Sequence, residues 1–92
     1  MEDNVVYIGK KPAMNYALAI ITQINMRKVE IRVMARGRLI SKAVDAIQIA
    51  KEVWGKEIPL KKAVLNTELI NNVEGRSVKV STIELIIQND NS

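Results

Sequence analysis

The sequence predicts one α/β domain, an α+β sandwich whose elements follow the order β-α-β-α-β-β. Two stretches carry apolar residues at three- and four-residue spacing, which is typical of amphipathic helices. Each follows a short run rich in β-branched residues, the usual composition of a strand. The last part of the chain is β-branched on both sides of a glycine turn, which predicts a terminal hairpin. The 92 residues suffice for one domain, 1–92, in which 89–92 form a polar tail.

The composition argues against enzyme chemistry. The chain has neither cysteine nor histidine, so it lacks thiolate nucleophiles, disulfides, the usual general base and the usual metal ligands. We therefore expect no catalytic activity, no metal and no cofactor. The acidic start lacks the basic region of a signal peptide, and the longest apolar run, Ala17–Ile21, is too short to span a bilayer. These features predict a soluble cytoplasmic protein that does not enter membranes.

Positive charge is concentrated in one part of the chain. Between Ile8 and Lys42 eight cations accompany one anion, Glu30, whereas from Ala43 onward six cations meet seven anions. The formal net charge of +4 therefore understates the asymmetry. Charge segregated in this way predicts one basic face and one nearly neutral face, which suits binding to nucleic acid or to an anionic surface. Chance clustering is the alternative.

The first strand and the first helix are separated by a short glycine- and proline-containing loop. The β-branched run Asn4–Ile8 predicts a strand that is buried on both faces and ended by Gly9. Pro12 suits the first position of a helix, and the helical spacing of apolar residues then continues over 13–26.

Lys10 and Lys11 lie in this loop, directly before the predicted helix. The positive end of a helix dipole and the free N–H groups there favour a bound phosphate. The loop is not a P-loop, because the first glycine and the Ser or Thr after the lysine are missing. The alternative is a pair of exposed loop lysines without a ligand.

The second strand alternates between apolar and polar residues. Residues 29–36 follow a period of two, which predicts a strand with one polar face that carries Arg32 and Arg36. Arg27 and Lys28, just before it, are assigned to the end of the first helix, where cations stabilise the negative end of the dipole.

A basic turn joins this strand to the second helix. Arg36, Gly37 and Arg38 form the turn, and Lys42 follows in the first part of the helix. The cations, the dipole and the unpaired N–H groups of the helix would act on one point. The junction therefore predicts a phosphate-binding site, with solvated turn residues as the alternative.

The second helix is predicted over 40–54, and Gly55 ends it. Beside its core stripe runs a second apolar strip, which belongs either to a broad core or to an interface with a partner. Trp54 favours the interface, because an indole suits positions that are apolar on one side and polar on the other. The members of the second strip are Ala46, Ile49 and Val53.

The terminal hairpin is predicted to be longer than the rest of the domain. Its strands cover 58–73 and 76–88 and meet at a turn that contains Gly75. At about 3.3 Å per residue, ~15 residues span ~50 Å, whereas a 14-residue helix spans only ~20 Å. The tip must therefore project past the body. The apolar parity also changes near 81–82, which predicts either a β-bulge or a change of buried face.

The projecting arm requires a partner, because a two-stranded hairpin is marginally stable alone in water. A second copy of the chain or a nucleic-acid groove would serve. Glu74 weakens the argument for an anionic partner. The arm nevertheless offers polar and cationic side chains near its tip: Asn71, Asn72, Arg76 and Lys79.

Several motifs at matching spacing now make the chain resemble the Alba family of archaeal chromatin proteins. They include Ile8-Gly9-Lys10-Lys11-Pro12, Met14-Asn15-Tyr16, Ala35-Arg36-Gly37-Arg38, Ile40-Ser41-Lys42-Ala43-Val44-Asp45, Arg76-Ser77 and Val80-Ser81-Thr82-Ile83-Glu84. The resemblance implies a fold similar to the C-terminal domain of translation initiation factor three, with a four-stranded mixed sheet and two helices on one face. It also implies a homodimer that binds duplex DNA and RNA with little sequence preference.

The resemblance implies roles for particular residues. By position, the nucleic-acid contacts of the family correspond to Lys10, Lys11, Arg36, Arg38 and Lys42, and we add Arg76 from the hairpin tip. Acetylation of Lys10 would weaken DNA binding, so a deacetylase is a further partner. Trp54, where phenylalanine is usual, would lie between dimers in a higher assembly on DNA.

The expected function is sequence-independent binding and compaction of double-stranded DNA as a nucleoid protein, together with RNA binding. The alternative is a dedicated RNA-binding subunit of an RNA-processing or ribonucleoprotein complex, because no residue reads the 2′-hydroxyl unambiguously. A nuclease is disfavoured, because Glu30 is the only acid in the basic segment.

Overall fold

The computed structural model describes residues 4–89, and its elements follow the predicted order. The strands are β1 (Val5–Tyr7), β2 (Glu30–Arg36), β3 (Leu60–Asn71) and β4 (Ser77–Gln88), and the helices are α1 (Ala13–Asn25) and α2 (Ile40–Trp54). A 3₁₀ turn, Gly37–Leu39, joins β2 to α2. Residues 1–3 and the part of the predicted tail after Asn89 lie outside the described residues.

The strands form one mixed sheet in the order β1-β2-β4-β3. β1 pairs parallel to β2, while β4 pairs antiparallel to both β2 and β3. The parallel pairing places the ends of β1 and β2, and therefore the loops that lead into α1 and α2, at the same edge of the domain. The fold is thus the expected α+β arrangement of two helices and a four-stranded mixed sheet.

The two helices pack against each other and against β2. On β2 the residues Ile31, Val33 and Ala35 are buried, as the period-two pattern predicts, and the residues between them are only half-buried or exposed. Small side chains at the helix contacts let these layers approach closely: Ala17, Ala43, Ala46 and Ala50 are fully buried. We call the sheet surface away from the helices the open face; it carries Tyr7, Arg32, Met34 and Arg36.

The predicted burial of the first strand on both faces is wrong. Val6 is buried, but Tyr7 is 67% exposed on the open face. The reason is that β1 is an edge strand and that α1 covers only one side of it.

The ends of α1 differ from the predicted ones by one position. Pro12 is the residue before the helix, with extended ψ of 153°, and it accepts a hydrogen bond from Asn15 N at 3.0 Å. At the other end, Arg27 adopts a left-handed φ of 60° and donates to Ile24 O, while Lys28 N donates to Gln23 O. This is the Schellman pattern of backbone hydrogen bonds. Arg27 and Lys28 therefore directly follow the helix and lie next to its negative end.

Asn89 does not belong to a polar tail, contrary to the prediction. It is 6% exposed, and its side-chain Nδ2 donates to the carbonyl oxygens of Lys28 at 2.7 Å and Ile24 at 3.2 Å. Its backbone N–H donates to Val29 O at 2.9 Å. Asn89 thus adds side-chain hydrogen bonds to carbonyl groups at the end of α1.

The hairpin of β3 and β4 projects past the end of β2, as expected. Arg36, the last residue of β2, pairs with Thr82, whereas the pairing of β3 with β4 continues to Asn71 and Ser77. The molecule is 47 Å long and 22 Å wide in both other directions. Gly75, with φ of 80°, turns the chain at the tip. We call the part of the hairpin beyond Asn66 and Thr82 the arm.

Of the two alternatives predicted near 81–82, the β-bulge is absent, since Ser81 and Thr82 pair in regular register with β3. The register shift lies instead between Leu60 and Lys62. The change of parity reflects a change of buried face. Leu85 and Ile87 pack in the core, whereas Val80 approaches the turn at Gly37.

Candidate nucleic-acid interface

The two strand-to-helix loops lie side by side at one end of the domain. Ile8, just after β1, donates its N–H to Met34 O of β2 at 2.9 Å. The loop that follows Ile8 therefore starts beside the last residues of β2. The structure brings five of the predicted residues to this end, which we call the basic end: Lys10, Lys11, Arg36, Arg38 and Lys42.

The loop that carries Lys10 and Lys11 is held by a tyrosine of α1. Tyr16 Oη accepts a hydrogen bond from the backbone N–H of Lys11 at 3.1 Å. Gly9 packs against the same hydroxyl, because a Cβ at this position would lie only 3.0 Å from it. Both lysine side chains are exposed. The loop backbone is therefore fixed while its charges face solvent.

Lys42 fastens this loop from the other side. Its ammonium group donates hydrogen bonds of 2.9 Å to the carbonyl oxygens of both Gly9 and Lys11. An ammonium has three N–H donors, so one remains for a ligand. The predicted phosphate contact Lys42 thus has a positioning role in the structure, connecting the first turn of α2 to the lysine loop.

The basic turn of Arg36 to Arg38 depends on its glycine. Gly37 has a φ of 58°, a left-handed conformation that residues with a side chain rarely adopt. A Cβ at this position would be in ordinary van der Waals contact with Val80, so the backbone conformation is what requires glycine. The turn does not lead straight into α2, because Gly37–Leu39 forms a 3₁₀ turn first. Gly37 O accepts the N–H of Ile40, so part of the predicted array of unpaired N–H groups is already paired.

The arginines of the basic end differ in their partners. Arg38 is exposed and, like Lys10 and Lys11, forms no ion pair with a carboxylate within residues 4–89. Arg36, in contrast, contacts Glu68 of β3, with 3.0 Å between Nη1 and Oε2. Lys42 also lacks a carboxylate partner among residues 4–89, so four of the five cations of the basic end are not neutralised by the described residues and one is paired.

The open face is neutralised by ion pairs between strands. Arg32 pairs with Glu84, and both side chains are largely shielded from solvent. Lys61 pairs with Glu30 at 3.1 Å. The arginine Arg32, which shares the polar face of β2 with Arg36 as predicted, is therefore not part of the basic end.

Arg76 lies apart from the other predicted residues. It stands at the tip of the arm, with its side chain 81% exposed and Nε 3.9 Å from Glu74 Oε2. Asn72 shapes the tip, because its Oδ1 accepts the N–H groups of Glu74 and Arg76. Val73 is fully exposed at the end of the turn. The tip thus presents one cation and one apolar side chain on an ordered turn.

Trp54 lies at the opposite end of α2 from the basic turn. It is half-buried and packs against the core, with Lys56 Nζ 5.3 Å from the centre of its ring. It lines a cavity of ≈ 220 Å³ together with Ile24, Ile58 and Ile87. Part of the Trp54 side chain therefore packs against the core, and the rest remains accessible to solvent.

The second apolar strip of α2 is divided between core and surface. Ala46 is buried and Ile49 is half-buried, whereas Val53 is 54% exposed.

Sequence reasoning also missed two residues that shape the site, Tyr16 and Glu68. Tyr16 contacts Lys11, five residues earlier in the chain, whereas Glu68 contacts Arg36 across the sheet, which no local pattern indicates.

Among the described residues, no helix has both the length and the apolar character needed to cross a membrane.

The sequence profile of the Alba family matches residues 4–65. A protein of Methanothrix thermoacetophila named DNA/RNA-binding protein Alba is 42% identical over 86 residues, which cover 94% of this chain and 96% of that protein. Its namesake in Methanococcus maripaludis is 44% identical over 86 residues, covering 92% of this chain and 97% of that one.

Solved structures agree with this comparison. Alba from Thermoplasma volcanium superposes with a TM-score of 0.85 at 39% identity and covers 92% of this chain and 99% of that chain. ALBA1 from Trypanosoma brucei, at 20% identity and a TM-score of 0.77, covers 99% of this chain and 73% of that chain and shares the fold. The profile match, the two relatives and the common fold together show that this chain belongs to the Alba family.

Proposed function

We propose that this protein binds nucleic acid by neutralising phosphates, and that it coats and compacts double-stranded DNA while also binding RNA. The observation that carries the proposal is the basic end, where Lys10, Lys11 and Arg38 are exposed, adjacent and unpaired within residues 4–89. The relatives named DNA/RNA-binding protein Alba support the same class of ligand.

The chemistry of the basic end suits a backbone ligand. Lysine and arginine contacts to phosphate fix a protein on a duplex without reading its sequence. The lysine loop is held by Tyr16 and Lys42 before any ligand binds, so little ordering is required on association. No step of bond making or breaking is part of this function, and no cofactor takes part.

We propose that the working unit is a homodimer. The helices leave β3 uncovered on their own side of the sheet, where Leu65 is 73% and Leu69 is 71% exposed. Two exposed leucines on one strand support the proposal that a second chain covers this surface. A second copy would also steady the arm and would double the number of basic ends.

The dimer proposal has its own test. Leu65→Glu places a charge on the uncovered apolar surface, whereas Asn66→Glu places it on the open face of the same strand. Sedimentation is expected to give a monomer for Leu65→Glu and a dimer for Asn66→Glu. Dimers in both variants would mean that the chains associate elsewhere.

The remaining proposals concern the arm, modification and assembly. We propose that Arg76 contacts nucleic acid from the tip of the arm, and that Trp54 contacts a neighbouring dimer on DNA. We further propose acetylation of Lys10, an exposed lysine of the basic end, as a means of weakening binding, with a deacetylase reversing it. The protein would act at the nucleoid in the cytoplasm.

Recovery of the protein from cells with its bound nucleic acid tests the proposal. Digestion of the recovered material with DNase and RNase separates the two polymers, and we expect duplex DNA to form the larger part. RNA alone would indicate the alternative function, a dedicated RNA-binding subunit. Recovery of neither polymer under low-salt conditions would contradict both.

A further inference from the structure

Arg36 and Glu68 connect the basic end to the base of the arm. Arg36 is the last residue of β2, and Glu68 lies on β3 just beyond the point where β2 ends. The guanidinium Nη1 and the carboxylate Oε2 are 3.0 Å apart. Within residues 4–89, Arg36 is the only cation at ion-pair distance from Glu68.

The register of the sheet makes this contact specific. Glu68 pairs with Val80, and Arg36 pairs with Thr82, so the acidic and basic side chains stand on the same open face one step apart. The cross-strand partners, Val80 and Thr82, carry no charge. The two charged groups therefore have each other as their nearest ionic partners on this part of the sheet.

The pair is accessible to solvent and to a ligand. The side chain of Arg36 is 60% exposed and that of Glu68 is 51% exposed. Both line a groove of ≈ 670 Å³ on the open face. Exposed ion pairs contribute little to stability and exchange readily, so a phosphate can compete for the guanidinium.

We propose that Glu68 restrains nucleic-acid binding by competing with phosphate for Arg36. In the free protein one carboxylate oxygen of Glu68 accepts a hydrogen bond from Nη1 of Arg36, and a guanidinium is also a preferred group for binding phosphate. A bound phosphate must displace the carboxylate from Arg36 before it can contact the guanidinium. Glu68 therefore lowers affinity and weakens the contribution of Arg36, and this inference rests on the proposed phosphate-binding function.

Glu68→Gln tests the inference, because glutamine keeps the shape of the side chain and removes its charge. We expect this variant to bind duplex DNA about two- to fivefold more tightly than the parent, the range that corresponds to the strength of an exposed ion pair. We also expect a steeper dependence on salt. The slope of log K against log salt is expected to become more negative by up to about 0.9 for each Arg36 that becomes free to neutralise a phosphate.

Glu57→Gln is the matched control. Glu57 is also an exposed partner in an ion pair, with Lys51 at 3.6 Å, but it lies beyond the far end of α2. It changes the net charge by the same amount without touching the basic end. A gain in affinity that appears in both variants would reflect net charge alone and would overturn the inference.

The double variant Arg36→Gln/Glu68→Gln separates competition from general repulsion. If Glu68 acts through Arg36, removing the carboxylate from the Arg36→Gln protein gains no more than Glu57→Gln does. An undiminished gain in this background would contradict the inference, and so would weaker binding by Glu68→Gln, which would mean that Glu68 orients Arg36 toward phosphate. Failure of the parent itself to bind DNA would instead refute the proposed function, and the inference with it.

Discussion

The ammonium group of Lys42 donates a hydrogen bond of 2.9 Å to the backbone carbonyl of Lys11. Lys42 belongs to the first turn of α2 and Lys11 to the loop before α1, so the contact joins the two loops of the basic end. Lys42, which the sequence predicts to contact phosphate, therefore also holds the lysine loop in place through hydrogen bonds. The position of the lysine loop relative to α2 therefore depends on this contact.

Replacement of Lys42 by methionine is expected to loosen the lysine loop. Methionine keeps the length of the side chain but loses the hydrogen bonds to Gly9 O and Lys11 O, at a cost of about 1 kcal/mol in the free energy of unfolding. We expect faster amide exchange in the loop and several-fold weaker DNA binding. Weaker binding with unchanged loop exchange would mean that Lys42 acts only by touching phosphate.

Replacement of Lys10 by glutamine mimics acetylation of an exposed lysine. A well-formed charge-assisted contact contributes about 1.5 to 3 kcal/mol, and an exposed one less, so we expect binding to weaken from a few-fold to tens-fold. Lys10→Arg keeps the charge and is expected to bind almost normally. Melting temperatures of both variants are expected to equal that of the parent. Equal affinity of Lys10→Gln and parent at one fixed salt concentration would place Lys10 off the path of the nucleic acid.

Replacement of Asn89 by alanine is expected to destabilise the end of α1. The side chain is buried and donates to the carbonyl groups of Ile24 and Lys28, and both of these hydrogen bonds would be lost. Each hydrogen bond contributes about 0.5 to 1.5 kcal/mol, so losing both is expected to lower the free energy of unfolding by about 1 to 3 kcal/mol. Urea titration measures this loss. Gln88→Ala, next in the chain but with only a long contact of 3.5 Å to Val29 O, is the control and is expected to change stability much less.

Replacement of Trp54 by alanine is expected to affect both folding and assembly. Because Trp54 is half-buried, we expect it to cost less than the about 3 to 5 kcal/mol typical of a fully buried tryptophan, so that the protein stays folded. Cooperative coating of DNA is expected to decrease. Trp54→Phe is expected to preserve cooperativity. A large fall in melting temperature with undiminished cooperativity in Trp54→Ala would assign the residue to the core alone.

Local patterns in the sequence were sufficient to predict the order of the elements and the location of the basic end. The helical spacing before Gly55, the alternation on β2 and the positions of Gly37 and Gly75 are local features, and each produces its structure within a few residues. The cations of the two loops could be placed together for the same reason, since both follow a strand and precede a helix.

Long-range contacts could not be predicted in this way. Asn89 caps a helix whose carbonyl groups lie more than 60 residues away in the chain, so its polarity alone suggested a solvated tail. The pairing of Arg36 with Glu68 depends on the register of β3 and β4, which no local pattern specifies. The same holds for the contact between Lys42 and Lys11. The charged residues can therefore be found from the sequence. Which of them form ion pairs, as Arg36 does, or hold a loop in place, as Lys42 does, cannot.

The dependence of duplex DNA binding on salt tests phosphate neutralisation most directly. The basic end supplies Lys10, Lys11, Arg36, Arg38 and Lys42 in each chain, or roughly ten cations in a dimer, of which about half are expected to contact phosphates. We predict a slope of log K against log salt of about −4 to −5 that is the same for duplexes of unrelated sequence. A slope shallower than about −2, or a large preference for one sequence over competitor DNA, would contradict binding through phosphates.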